Sequence, residues 1–141
     1  MKTSKDPRHQ SRRLAVGIVY SHENSTDKSH LDNNEELISL VIENLGINNY
    51  DKPLLNSLLN SLSKNIETYR KLVRTNAIGW DVEKLYKMDL SILLVATSEL
   101  NLKFTPTKVV IDEAVELAKE FGTNDSPKFI NGILGGIAKV E

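Results

Sequence analysis

The residues of this chain best suited to chemistry are a group of cations near its start and a polar turn near its end. On a helix beginning near Lys5, the side chains of Lys5, Arg8 and Arg12 share one strip at three- and four-residue spacing. His9, Arg13, Val16 and Tyr20 form the neighbouring strip. Planar arginine forks suit phosphate oxygens, and a ring such as Tyr20 or Phe129 beside them can stack on an unpaired base. The second group lies in Phe121-Gly122-Thr123-Asn124-Asp125-Ser126 and the turn of helix that follows. A connection between helices requires a glycine and a cap, but not Asn124, Asp125, Lys128 and Asn131 together. Asp125 can accept from the amides of the next helix, while Lys128 and Asn131, three apart, project side by side from it. The two groups together suit a single strand of nucleic acid. The plainer reading is a solvated terminus, a Tyr20 at the edge of the core and a turn with surplus polarity.

Other chemistry finds little support. There is no cysteine, which removes disulfides, thiol catalysis and cysteine-held zinc, and His9, His22 and His30 are too scattered for a metal cage. Asp112, Glu113, Glu116, Lys119 and Glu120 read as a solvated helix face rather than catalytic carboxylates. Ser126 has no base near it in sequence and reads as a cap. Gly132, Gly135 and Gly136 lie in a helical pattern without the Lys-Ser/Thr of a phosphate loop, and close helix approach or fraying accounts for them. The expectation is therefore no enzyme, no cofactor, no metal and no catalytic residue. Net charge is −1, yet residues 1 to 13 hold five cations against one acid, a net +4 that leaves −5 for the remainder. A basic arm on an acidic body results.

The elements that must position these groups all read as helices. At 141 residues with 40% hydrophobic content, the chain suits one domain with its own core. No run of about 18 apolar residues or signal-like stretch occurs, so a cytoplasmic protein without membrane insertion is expected. Leu14, Ala15, Ile18 and Val19 make the apolar side of a first helix from Arg8 to about Tyr20, and a polar loop spans 24 to 34. Asp32, Asn33 or Asn34 caps a second helix that Gly46 ends, and a long third follows Pro53. After the joint Asn76-Ala77-Ile78-Gly79-Trp80, Asp81 caps a short turn leading to Met88, and Leu90, Leu93, Thr97 and Leu100 carry the pattern to Lys103. Thr105 with Pro106, and Ser126 with Pro127, mark two further starts. Between them Val110, Ala114, Leu117, Ala118 and Phe121 form one stripe, which Gly122 ends in the left-handed conformation. The class is all-α, about seven helices. One domain, 1–141, is expected to pack as an N-terminal group (1–78) and a C-terminal group (79–141) around Trp80.

These words also carry a family resemblance. Ile111-Asp-Glu-Ala-Val-Glu-Leu-Ala-Lys-Glu-Phe-Gly122, then Asp125-Ser126, Lys128-Phe129-Ile130-Asn131-Gly132 and Ile133-Leu134, resemble the NusB-type transcription antitermination factors. Ala15 through Tyr20-Ser21 and Asp89-Leu90 through Glu99-Leu100 match less closely, and residues 22 to 80 mainly in pattern. The resemblance implies two small packed helical bundles and no catalysis. It also implies pairing with a small-subunit ribosomal protein, NusE, and binding of single-stranded boxA RNA in ribosomal RNA leader transcripts, within an antitermination complex on RNA polymerase. Some members self-associate, so a homodimer belongs among the implied partners. The arginine-rich arm falls on Arg8, His9, Gln10, Arg12 and Arg13, with His9 and Gln10 standing where arginines are typical. Tyr20 ends that helix, Asp125, Lys128 and Phe129 match positions near the RNA, and Asp89, Ser98 and Glu99 lie on the helix implied to meet the ribosomal protein. The competing expectation is a helical module that binds a protein partner without RNA.

Overall fold

The computed structural model describes residues 6–25, 31, 34–80 and 85–139. Among them are six helices and no strand: α1 (Pro7–Glu23), α2 (Glu35–Leu45), α3 (Lys52–Asn76), α4 (Lys87–Leu102), α5 (Thr107–Phe121) and α6 (Ser126–Lys139). Lys5, expected on the RNA strip, and Asp81, expected as a cap, lie outside the described residues.

The starts of the first three helices follow from local chemistry. Asp6, Asn34 and Asp51 each accept a hydrogen bond from a backbone amide two or three residues ahead, at 3.0, 3.1 and 3.0 Å, which satisfies a donor with no partner inside the helix. Pro7 and Pro53 sit where a missing N–H costs nothing. Gly46 ends α2 at φ 65, as expected for a left-handed cap.

Two later boundaries differ from expectation. Thr105 caps no helix: α5 starts at Thr107, and buried Thr105 instead accepts from the Arg8 guanidinium at 3.3 Å. Gly122 is extended, at φ −94 and ψ −164, so its lack of a side chain matters for space rather than handedness. A Cβ there would stand 2.5 Å from both Cβ and Oγ of Ser126 and 2.8 Å from the Ala118 carbonyl oxygen. Ser126 in turn does not look forward into α6: its Oγ accepts from the Thr123 amide at 2.9 Å and donates to Asp89 at 2.7 Å.

Helix α4 is the centre of the molecule. Every residue from Asp89 to Leu100 is buried, as expected of a helix packed on several sides rather than lying on a surface. Contacts with α1, α3, α5 and α6 surround it. The core runs without a break through Leu14, Ile18, Leu58, Leu62, Leu93, Leu94 and Leu134. Trp80, expected between two packed halves, is 60% exposed.

Candidate nucleic-acid interface

Helix α1 passes between both halves of the chain, and its neighbours decide which of its cations face water. Arg12 does not. Its side chain is 2% exposed, and its guanidinium grips Glu99 of α4 with two bonds, Nε to Oε1 at 2.8 Å and Nη2 to Oε2 at 2.6 Å. A third bond runs from Nη1 to Glu113 of α5 at 3.0 Å, and that same oxygen lies 3.0 Å from Nδ1 of His9. Burial works against the charge on Arg12, but the hydrogen bonds and field of Glu99 and Glu113 outweigh it and raise its pKa above the ordinary arginine value. This arginine ties three helices together and offers no donor to a phosphate. His9 is buried beside it, so neither residue forms part of an exposed strip.

The remaining arm residues diverge. Arg8, with a side chain 46% exposed, leans toward Thr105 and lies 3.9 Å from Asp51 at the start of α3. Arg13 turns to the other side, where it pairs with Glu120 at 2.8 Å, donates to Gln10 at 2.7 Å and lies 5.9 Å from the Phe121 ring centre. The expected Lys5–Arg8–Arg12 strip is therefore broken at Arg12.

Helices α1 and α5 run in the same direction, since His9 meets Glu113 and Arg13 meets Glu120. Beyond Arg13, the α5–α6 turn is anchored to the start of α4 by Ser126 and Asp89. The start of α4 is anchored back to the end of α1, where Lys87 donates to the Glu23 carbonyl at 3.1 Å. The turn and the end of α1 are thus both tied to the start of α4, and Tyr20, on the last turns of α1, is 37% exposed. Asp125 in the turn and Lys128 on the first coil of α6 are exposed. Phe129 is partly buried and meets Trp80 edge-on. Asp125, Lys128 and Phe129, with Trp80 against the Phe129 ring, bring a carboxylate, a cation and aromatic rings together, which are the groups that hold a single strand.

The residues expected to face a protein partner are interior. Asp89 is buried under Ser126, and burial raises its pKa above 3.8 despite the opposing hydrogen bond from that hydroxyl. Ser98 is fully buried, with its hydroxyl 3.5 Å from the Leu58 carbonyl, and Glu99 is consumed by Arg12. Glu113, expected on the solvated face of α5, is also buried. Two signals pointed to this network. Glu99 is an acid enclosed by the apolar run of α4, and Arg12 precedes Ala15 and Val19 by three and seven residues, which places it on the apolar stripe of α1. Among the described residues no group of three His, Cys, Asp or Glu side chains is placed to hold a metal ion, and no helix is long and apolar enough to cross a membrane.

Comparison with known proteins identifies the family and the fold. The model of the NusB family matches residues 9–139. The transcription antitermination protein NusB of Clostridium novyi (strain NT) is 33% identical over 135 residues, covering 94% of this chain and 98% of that protein. The crystal form of T. maritima NusB superimposes with a TM-score of 0.77 at 31% identity, covering 99% and 93% of the two chains. A structure of the antitermination factors NusB and NusE in complex with dsRNA shares the fold, with a TM-score of 0.74 at 23% identity over 94% and 96%.

Proposed function

Because the chain belongs to the NusB family, we propose that it is an RNA-binding transcription antitermination factor that pairs with NusE on single-stranded boxA RNA of ribosomal RNA leaders. The observation that carries this reading is the double fastening around the α5–α6 turn, the end of α5 to α1 by Arg13 with Glu120 and the turn itself to α4 by Ser126 with Asp89. In this reading the fastened turn presents Asp125, Lys128 and Phe129 to the strand, with Tyr20 joining them, without loop ordering on binding, which saves the entropy of fixing them. Lys128 and the half-exposed Arg8 attract the strand, Phe129 stacks a base and Asp125 accepts from a base edge. Arg13 contributes partial charge while holding the turn. The bound complex joins RNA polymerase in the cytoplasm and acts by adhesion, without catalysis. A homodimer that covers this face would store the protein in an inactive form.

The burial of Arg12 and His9 favours a second reading, a protein-binding module without RNA, since it removes two of the expected arm contacts. Binding of a short boxA-like RNA, measured alone and with NusE across a salt series, separates the two. The expected result is salt-dependent binding that strengthens with NusE. Arg8→Ala and Lys128→Ala should each flatten the salt slope by about 0.7, one phosphate's worth for a single strand. Absence of RNA affinity in both conditions would overturn the proposal.

A further inference from the structure

Trp80 stands outside the core in a defined position. Gly79, at φ 86, turns the chain after α3, and the Trp80 amide donates to the Ala77 carbonyl at 3.0 Å. The indole is carried across to the first coil of α6, where its ring centre lies 5.4 Å from that of Phe129 with the planes at 65°. A ring of this size left 60% exposed gives up much of the stabilisation that burial would bring. Its edge contact with Phe129 holds it in place nonetheless.

We propose that Trp80 is a second stacking residue of the RNA site, which together with Phe129 holds two successive unpaired bases; this rests on the RNA-binding reading above. Rings at 65° cannot both lie parallel to bases stacked as in a duplex. They do fit a strand whose bases are splayed apart, the form in which single-stranded RNA is usually read. The surroundings favour a base over a protein side chain. Beside the rings, Asp125 just ahead of α6 and Lys128 and Asn131 on its first turns are polar and exposed, and Ile78 adds an apolar edge, so groups suited to base edges and phosphate accompany the two rings.

Trp80 is the sole tryptophan, so its emission reports this position alone. The full chain is titrated with a dye-labelled boxA-like RNA, alone and with a tryptophan-free form of NusE, while RNA anisotropy and tryptophan emission are followed together. The expected result is quenching that saturates with the anisotropy. Trp80→Ala should weaken RNA binding roughly tenfold at an unchanged salt slope, and Trp80→Phe should retain most of the affinity. Far-UV circular dichroism checks the fold of Trp80→Ala, while the quenching and the Trp80→Phe measurement do not depend on that variant. RNA binding with unchanged emission and undiminished Trp80→Ala affinity would overturn the proposal and leave the RNA-binding reading intact. Quenching by NusE but not by RNA would assign the indole to the protein interface and also overturn it. No RNA binding at all would overturn both.

Discussion

Arg12→Ala separates an arginine that holds the fold from one that holds RNA. Its guanidinium is 2% exposed and makes three hydrogen bonds of 2.6 to 3.0 Å to two carboxylates that are themselves buried. The substitution leaves Glu99 and Glu113 in the interior without their cation. Removing one partner of a buried pair costs about 3–5 kcal/mol. Two carboxylates lose a partner here, but Glu113 keeps His9 at 3.0 Å and the emptied space can admit water, so a loss of about 4 kcal/mol is expected. That is a large share of the roughly 5–15 kcal/mol that holds a typical domain together. At a urea slope of about 2 kcal/mol per molar, the unfolding midpoint should fall by about 2 M. Urea unfolding followed by circular dichroism and Trp80 emission measures it. Glu99→Ala should destabilise similarly, and the double variant should lose less than the two singles combined, because each single strands the other's charge. RNA affinity of the remaining folded Arg12→Ala protein should keep its salt slope, in contrast to Arg8→Ala. A stability loss under about 1 kcal/mol, accompanied by a slope flattened by about 0.7, would refute the interior assignment and return Arg12 to the RNA strand.

Two further substitutions test how the α5–α6 turn is held. Asp89 has a folded pKa raised above its ordinary 3.8 by burial, so its contribution to stability is fully present below that value and is lost as pH rises through the folded pKa. Asp89→Asn keeps an acceptor for Ser126 and removes the buried charge; its urea midpoint should match the parent near pH 3.5 and exceed it near pH 7. A midpoint lowered at both values would show that the charge itself is needed. Gly122→Ala forces a methyl to within 2.5 Å of Ser126 and 2.8 Å of the Ala118 carbonyl, and should cost about 1–3 kcal/mol in urea unfolding. Unchanged stability would show that the turn can move without loss.

Much of the candidate surface was legible because its elements are made locally. Helix α1 follows Asp6 and Pro7, α2 runs from Asn34 to Gly46, and α3 follows Asp51 and Pro53; each boundary needs only a side chain within three residues of a backbone group. The surplus polarity of Asp125 and Lys128 was visible for the same reason, since nothing in the turn consumes those side chains. Thr105 and Gly122 were misread because their local chemistry admitted two uses. Thr105 serves Arg8 from 97 residues away, and Gly122 makes room for Ser126 while staying extended.

The sequence by itself determined the helices, the family and the surplus polarity of the turn after α5. Only the tertiary structure decided which cations are available. A helical wheel sorts residues by angle, but exposure depends on what packs against each angle, and Arg12 meets Glu99 and Glu113 at separations of 87 and 101 residues. Charge alone therefore could not distinguish a phosphate contact from a buried tie. Once α4 and α5 close over α1, Arg12 becomes part of the core, Arg8 and Lys128 remain in water, and the ring of Trp80 stands beside Phe129 at the surface.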